Sequence, residues 1–338
     1  MRLGTLSLDD GWGALSRGAR MRAPWHDGAV YSLAHTADGS LVCSSGADGV
    51  VRVWDVTRGE LRWQYERPAR HLLASPDGRL AYALDEAFAL WPLDLVTGDE
   101  PDRAWAPTRR VPRGARHDRA ALSPDGRWLL PSCGDDRGGV EVVDLAGRAS
   151  HVLEAPGAGE LYPVGAFSPD GRAVYSLGGV RDGRSGRARN ALYRFALSDG
   201  ACDEIRALRF PAQSGPVAVA LHRHRCVFGG RWMVVSEGRV LLRWELARSE
   251  AASWLDAPLS AMGRVVTGDR AFACTFSNHR GVAIGEHAAG ALHTALTMPD
   301  GETVSTLSLA PGEGSLYVGT MSGRVARVAI SDGDDGLR

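Results

Sequence analysis

The chain has 338 residues, 44% apolar and 23% charged, with a formal net charge of -1. That is an ordinary globular composition with enough apolar residues for a sizeable core. Its near-neutral balance excludes a global electrostatic pull toward nucleic acid or an anionic membrane. All 39 basic residues are arginine, which reads as GC-rich coding and points to a bacterial source. The first residues, MRLGTLSLDDGWGALSRGAR, hold no continuous apolar stretch and no small-residue cleavage site, so no signal peptide is expected. No apolar run is long enough for a transmembrane helix. The cysteines, Cys43, Cys133, Cys202, Cys226 and Cys274, are odd in number and widely spaced, with no CxxC. They imply free thiols in a reducing cytosol and no disulfides.

In chain order, residues 1–14 are expected to form an N-terminal extension. From Leu15 to Ala23, apolar Leu15, Ala19 and Met21 alternate with Arg17, Arg20 and Arg22, as in an edge strand. Between His26 and Asp55 lie the runs AVYSLAH, SLVCSS and VVRVWD, separated by the turns Ala37–Gly39 and Ala47–Gly49, both ADG. Asp-Gly between alternating apolar runs signals hairpins, so the stretch reads as an antiparallel meander. Alone it would expose an apolar face and two bare edges.

Copies follow it. SPDG recurs at Ser75–Gly78, Ser123–Gly126 and Ser168–Gly171, with TADG at Thr36–Gly39. The steps between their aspartates are 39, 48 and 45 residues (38 to 77, 77 to 125, 125 to 170). Proline at the second turn position fixes φ, and glycine after Asp supplies the positive φ that re-enters the next strand.

The spacing, the SPDG turns and the VRVWD ending resemble the WD40 repeat. That resemblance implies an all-β fold: a single seven-bladed WD40-like β-propeller over residues 15–331, built of four-stranded antiparallel blades with strands a to d from the centre outward. Residues 332–338 are expected to be a flexible acidic tail. In the family, a His before strand a, a Ser in strand b, an Asp in the b–c turn and the Trp of strand c form a stabilising hydrogen-bond network. These fall on His26, Ser44, Asp48 and Trp54. A buried imidazole and a buried indole N–H must find partners, and such a chain of bonds ties strands together. The order His26–Asp48–Ser44 also imitates a hydrolase triad, but the repeat explains all three residues.

Repeat 2 keeps the Asp85-to-Trp91 spacing. Repeat 3 ends in VEVVDL. Repeat 4 carries an insertion at Gly178–Asn190, read as a long b–c loop whose Gly and Ser imply mobility. Repeat 5 is read as VAVALH, RWMVVS and RVLLRWEL, repeat 6 as LSAMG, AFACTF, GVAIGEH and ALHTAL, and repeat 7 as TVSTLSLAP, SLYVGTMSG and RVARVAIS. Repeat 7 thus lacks a fourth strand, and the segment at 15–23 is expected to supply it and close the ring, as in the family.

Two segments concentrate arginine: Asp102–Arg119, with Arg109, Arg110, Arg113 and Arg116, and the repeat 4 insertion, with Arg181, Arg184, Arg187 and Arg189. The family's geometry puts both on one face, as a basic rim with Trp105 available for stacking. Arg and Trp anchor protein interfaces; the bland alternative is solvated loops in an arginine-rich chain. Nucleic-acid contact through the same loops is a rival reading, set against the neutral charge. His222, His224 and Cys226 alternate as metal ligands on one strand face would, or else sit in the loop after strand a of repeat 5. No Walker loop, GxSxG or HExxH is present, and no cofactor is expected. The sequence therefore reads as a cytoplasmic, non-catalytic scaffold or sensor that binds protein partners through top-face loops. A propeller enzyme or small-molecule binder using the central channel is the alternative.

Overall fold

The computed structural model of the chain describes residues 2–5, 25–103, 105–106, 120–131, 140–147, 149–154, 161–181, 188–208, 225–229, 231–237, 240–247, 253–256, 264–276, 278–288, 291–298 and 301–330. Apart from one 3-10 turn at Pro311–Glu313, the regular structure among them is β-strand.

The chain opens with β1 (Arg2–Thr5). Repeat 1 is the sheet β2 (Val30–His35), β3 (Leu41–Gly46), β4 (Val51–Asp55) and β5 (Glu60–Tyr65), in that order. Repeat 2 is β6 (His71–Ala74), β7 (Leu80–Leu84) and β8 (Leu90–Asp94). A single antiparallel bridge, Leu90 to Trp105, stands where a fourth strand would run. Repeat 3 is β9 (Ala121–Leu122), β10 (Trp128–Leu130), β11 (Val140–Asp144) and β12 (Ala149–Leu153). Repeat 4 is β13 (Leu161–Phe167), β14 (Ala173–Arg181), β15 (Ala188–Ala196) and β16 (Cys202–Ala207). Repeat 5 is β17 (Arg225–Gly229), β18 (Trp232–Glu237), β19 (Val240–Glu245) and β20 (Ser253–Asp256). Repeat 6 is β21 (Val265–Thr267), β22 (Ala271–Thr275), β23 (Gly281–Glu286) and β24 (Ala291–Thr297). Repeat 7 is β25 (Val304–Leu309), β26 (Ser315–Thr320) and β27 (Val325–Ala329).

The turns explain why the strands recur. Thr36, Ser75, Ser123 and Ser168 each donate a hydroxyl to the turn aspartate two residues on, at 2.5 Å. Each hydroxyl oxygen also accepts the amide of the residue opening the next strand: Leu41, Leu80, Trp128 or Ala173. The following glycine sits at φ near +70°, at Gly39, Gly78, Gly126 and Gly171, a conformation that a Cβ disfavours.

Four expectations change. The insertion at Gly178–Asn190 is not wholly a loop. Gly178, Gly179, Val180 and Arg181 pair with Ala191, Asn190, Arg189 and Ala188, so strands b and c simply continue. Alternating Val180–Arg181 and Ala188–Arg189 can extend a ladder, and it is residues 182–187 that lie outside the described set. In repeat 5 the strand paired with β18 is β17, not VAVALH; the run Cys226-Val227-Phe228 satisfies that edge, and residues 209–224 fall outside the description. In repeat 6 the first strand is β21 in place of LSAMG, whose residues also fall outside it. Finally, Arg2–Thr5 are not a bare extension: they pair in parallel with β24. The proposed closing segment, Leu15–Ala23, lies outside the described residues.

The chain divides into two compact units. The first comprises Met1–Glu86, Trp91–Asp102 and Leu259–Arg338; the second comprises Ala87–Leu90 and Arg103–Pro258. In the first, neighbouring sheets share apolar cores. Leu41, Val53 and Tyr65 meet Leu72, Ala83 and Leu93 between repeats 1 and 2. Ala273, Ile284 and Leu296 meet Leu307, Leu316 and Val328 between repeats 6 and 7. Val30, Leu33, Val42 and Trp54 meet Tyr317 and Val325, so the first repeat packs on the last. In the second unit, Leu130, Val142 and Leu153 pack against Phe167, Tyr193 and Phe195.

Candidate functional site

A dense polar cluster of the first unit surrounds His26. The sequence before β2 places this imidazole beside the b–c turn, and the turn glycine geometry brings Asp48 back toward it. His26 Nδ1 lies 2.9 Å from Asp48 Oδ1, and Nε2 lies 2.8 Å from Ser44 Oγ. Trp54 donates its indole N–H to Ser44 Oγ at 3.1 Å. The tautomer follows from the partners: a carboxylate only accepts, so Nδ1 carries the proton, and Ser44 gives its single proton to Nε2. The amides of Asp27 and Val50 also donate to Asp48. The structure thus brings His26, Ser44, Asp48 and Trp54 together in one chain of bonds.

The sequence reading missed a fifth member, Arg52. Its Nη1 donates to Asp48 Oδ2 at 2.6 Å and lies 2.7 Å from His26 Nδ1. The second distance joins two donors across a shared carboxylate and is not itself a hydrogen bond. Arg52 is buried, and its Nε meets no hydrogen-bond partner among the described residues. The available signal was the alternation of Val51, Arg52 and Val53: a charge inside an apolar strand needs a counter-ion, and Asp48 is the near carboxylate.

Burial pushes the His26 imidazole below its ordinary value, and that desolvation outweighs the pull of Asp48. Burial alone would raise Asp48, but hydrogen bonds from His26 and Arg52 hold it below the usual carboxylate range. Ser44 is fully buried and the His26 side chain has no exposed surface. No substrate reaches this serine, so the His–Asp–Ser order here ties strands and does not serve as a hydrolase triad.

A second polar layer joins the first repeat to the last. The His26 amide donates to the Gly323 carbonyl at 3.2 Å. His35 Nε2 lies 3.1 Å from Ser308 Oγ, and its ring centroid is 6.2 Å from that of Tyr317. Between repeats 6 and 7, the Glu313 carboxylate accepts amides of Asp269, Arg270 and Ala271. A further device repeats within the sheets: the arginine after the SPDG turn reaches the aspartate ending strand c. Arg127 lies 2.8 Å from Asp144 and Arg79 lies 3.4 Å from Asp94. The Arg127 guanidinium and the amides of Gly147 and Ala146 hold Asp144 down to about 2. The recurring SPDGR string carried that signal.

The arginine-rich candidates fare differently. Trp105 is buried, pairs its backbone with Leu90, and donates its indole N–H to Ser150 at 3.3 Å. It offers no free face for stacking, because the missing fourth strand of repeat 2 is made around it. Arg109, Arg110, Arg113, Arg116, Arg184 and Arg187 lie outside the described residues. Arg181 and Arg189 stand on β14 and β15, opposite Ala188 and Val180.

His222 and His224 lie outside the described residues too, while Cys226 stands on β17 opposite Val235, in a strand instead of a loop. Among the described residues no group of His, Cys, Asp and Glu is placed to hold a metal. Among the described residues, Cys43, Cys202 and Cys274 form no disulfide. Burial pushes Cys43 and Cys274 up to about 12, which leaves them inert. Among the described residues no helix is long and apolar enough to cross a membrane.

These features define an all-β repeat protein whose first repeat is tied by a His–Ser–Asp–Trp network and whose second to fourth repeats share Ser-Pro-Asp-Gly turns. Residues 21–55 match the family model described as WD domain, G-beta repeat. The chain is 24% identical over 208 residues to Protein lethal(2)denticleless of Drosophila melanogaster, covering 54% of this chain and 27% of that protein. It is 29% identical over 132 residues to the WD repeat-containing protein 26 homolog of Arabidopsis thaliana, covering 38% of this chain and 20% of the relative. It is 30% identical over 86 residues to the small ribosomal subunit protein RACK1y of Oryza sativa subsp. japonica, covering 25% and 26%. The chain therefore spans about a quarter or less of the length of these relatives. Among solved structures, Kuenenia stuttgartiensis hydrazine synthase shares the fold, with a TM-score of 0.65 and 13% identity over 94% of this chain and 99% of that one. The match at residues 21–55 and the WD-repeat relatives support a WD40-repeat family, and the described strands form a β-propeller-like all-β fold.

Proposed function

We propose that this chain is a protein–protein interaction module, a non-catalytic scaffold or sensor in a bacterial cytosolic assembly. One observation carries the reading. The cluster with the residue types of a catalytic centre, around His26 and Ser44, is sealed and wholly engaged in joining strands, which leaves the outer surface and loops to do the binding. The match to the WD domain, G-beta repeat supports it.

In this reading the repeats are seven blades of a closed propeller. The contact of the first repeat with the last and the three-stranded sheet β25–β27 support closure by the segment at 15–23. The binding face carries the arginines of 102–119 and of the β14–β15 hairpin; guanidinium groups suit carboxylate-rich partners. The test is replacement of Arg181, Arg184, Arg187 and Arg189 by Ser, followed by quantitative comparison of proteins recovered on wild-type and variant baits from source-cell lysate. Loss of the specific partners while the melting temperature holds is the expected result. Unchanged recovery removes this face from the proposal.

A further inference from the structure

Repeat 1 breaks the arginine–aspartate device of its neighbours. In repeats 2 and 3 the residue after the turn glycine is Arg79 or Arg127, and it reaches the aspartate that ends strand c, Asp94 or Asp144. Backbone bonds fix the equivalent positions in repeat 1. The amide of Val56 donates to the Ser40 carbonyl, as those of Leu95 and Leu145 donate to the carbonyls of Arg79 and Arg127. Oδ1 of Asp55 accepts the amides of Thr57 and Arg58, as Oδ1 of Asp94 and of Asp144 each accepts the amides two and three residues on. Asp55 is thus the aspartate of the device, and Ser40 stands where its arginine would.

The serine is too short to bridge the gap, and an open pocket of about 370 Å³ lies there, lined by Ser40, Asp55, Arg58, Glu60 and Arg62 among others. Repeat 1 also adds a second carboxylate. Glu60 opens β5 directly opposite Asp55, where repeat 3 has Ala149 opposite Asp144. Like charges facing each other across a ladder repel. Among the described residues neither carboxylate has an ion-pair partner, and Oδ2 of Asp55 accepts no hydrogen bond. Arg58 serves Asp55 through its backbone amide, and the Arg62 guanidinium lies 6.0 Å from the Trp63 ring centroid.

We propose that this pocket binds a guanidinium group supplied in trans, on a ligand that also carries a carboxylate, as arginine does. The chain itself shows the chemistry, since the same aspartate position takes a guanidinium in repeats 2 and 3. A planar guanidinium donates to two oxygens at once, so it can bridge Asp55 Oδ2 and Glu60 and cancel their repulsion. Arg58 and Arg62, which also line the pocket, disfavour a cation with no negative group and suit the ligand's carboxylate. Free arginine and an arginine ending a partner's chain present the same two groups. The site stands on repeat 1 alone and does not rest on the arginine-bearing face proposed above.

The test is an NMR titration of the isotope-labelled full chain, at low ionic strength, with L-arginine and with L-citrulline, which has the same shape and a neutral head. Ser40→Arg restores the residue that repeats 2 and 3 carry and should fill the pocket from within. L-Arginine should shift the amide signals of residues 40–41 and 55–62 in wild type. Citrulline in place of arginine, and Ser40→Arg in place of wild type, should each weaken binding at least about tenfold, the loss of hydrogen bonds between charged groups. No response to arginine, equal binding of citrulline, or undiminished binding by Ser40→Arg overturns the proposal. Should Ser40→Arg not fold, Asp55→Asn decides, because it keeps an oxygen for the Thr57 and Arg58 amides and loses the charge. Undiminished binding there overturns the proposal in the same way. Glycyl-L-arginine separates the two sources: tighter binding than free arginine assigns the site to the end of a partner's chain, and weaker binding assigns it to the free amino acid.

Discussion

The amide of His26 and the carbonyl of Gly323 meet at 3.2 Å, which pins the entry of the first repeat to the b–c turn of the last. Gly323 holds φ +93°, and a Cβ there would lie 2.0 Å from the His26 carbonyl oxygen and 2.8 Å from that of Gly28. Both atoms are backbone and cannot rotate away. Gly323→Ala should therefore cost at least about 2 kcal/mol, read as a lowered urea midpoint. Gly314→Ala is the matched control, since Gly314 has an ordinary φ of −81° and open space around its Cβ position. It should shift stability by less than about 1 kcal/mol. Equal losses in the two variants would show that this contact does not govern the junction.

Acid should loosen the same junction. His26 and His35 both have imidazoles pushed below the ordinary histidine value of 6.5 by burial. The groups around them are Asp48 and Arg52 at His26, and Ser308 and Tyr317 at His35. A histidine whose folded value is depressed binds its proton more readily when unfolded. Its stabilising share is complete above 6.5 and is lost as pH falls below 6.5 through the folded value. The denaturation midpoint should drop between pH 7.5 and pH 5, before the low-lying carboxylates such as Asp48 titrate. His35→Gln should flatten part of that slope. A midpoint constant over this range would contradict the assignment.

The His26 network should report on stability before anything else. Trp54 is 2% exposed and packs with Val30, Leu33 and Tyr317, so Trp54→Ala should cost about 3–5 kcal/mol. Ser44→Ala strands the indole N–H and the imidazole Nε2 together, at about 1–3 kcal/mol. Asp48→Ala removes the counter-ion of a buried Arg52 and should cost about 3–5 kcal/mol. If any of these variants kept its melting temperature and yet lost partner binding, the cluster would be a binding site and not a joint.

How far these features were legible depended on whether they lay in the local pattern. The turns at Thr36, Ser75, Ser123 and Ser168 were readable because hydroxyl, aspartate and glycine sit within four residues. The His26–Ser44–Asp48–Trp54 grouping was readable through the family pattern. Arg52 leaves only the trace of a charge inside the apolar run Val51–Val53, because its contact with Asp48 depends on how the turn before β4 folds. Trp105 is not legible as a core residue, since its run, DRAWAPTRR, looks like a polar loop; only its bridge to Leu90 and its indole bond to Ser150 show that it completes an edge. The Gly178–Asn190 stretch reads as a loop on its glycines, although β-ladder pairing tolerates Gly178 and Gly179 when the partner strand continues. The pairing of β1 with β24 joins residues almost three hundred positions apart, where no local pattern reaches.

Glu313 gives the sharpest test of the joint between repeats 6 and 7. It follows a glycine at φ +69° in the turn after β25 and itself holds φ +56°, a conformation seldom adopted without a compensating gain. The gain is at the turn between β21 and β22, where the carboxylate accepts successive amides of Asp269, Arg270 and Ala271. Glu313→Gln keeps size and conformation but replaces one acceptor oxygen with an NH2 group that faces backbone donors. The loss should be about 1.5–3 kcal/mol, the range for hydrogen bonds to a charged group. Hydrogen exchange should rise at 269–271 before it rises in β2–β4 of repeat 1, because the substitution touches only one joint. Uniform acceleration across both regions would mean that the effect is global and that Glu313 is not a local clasp.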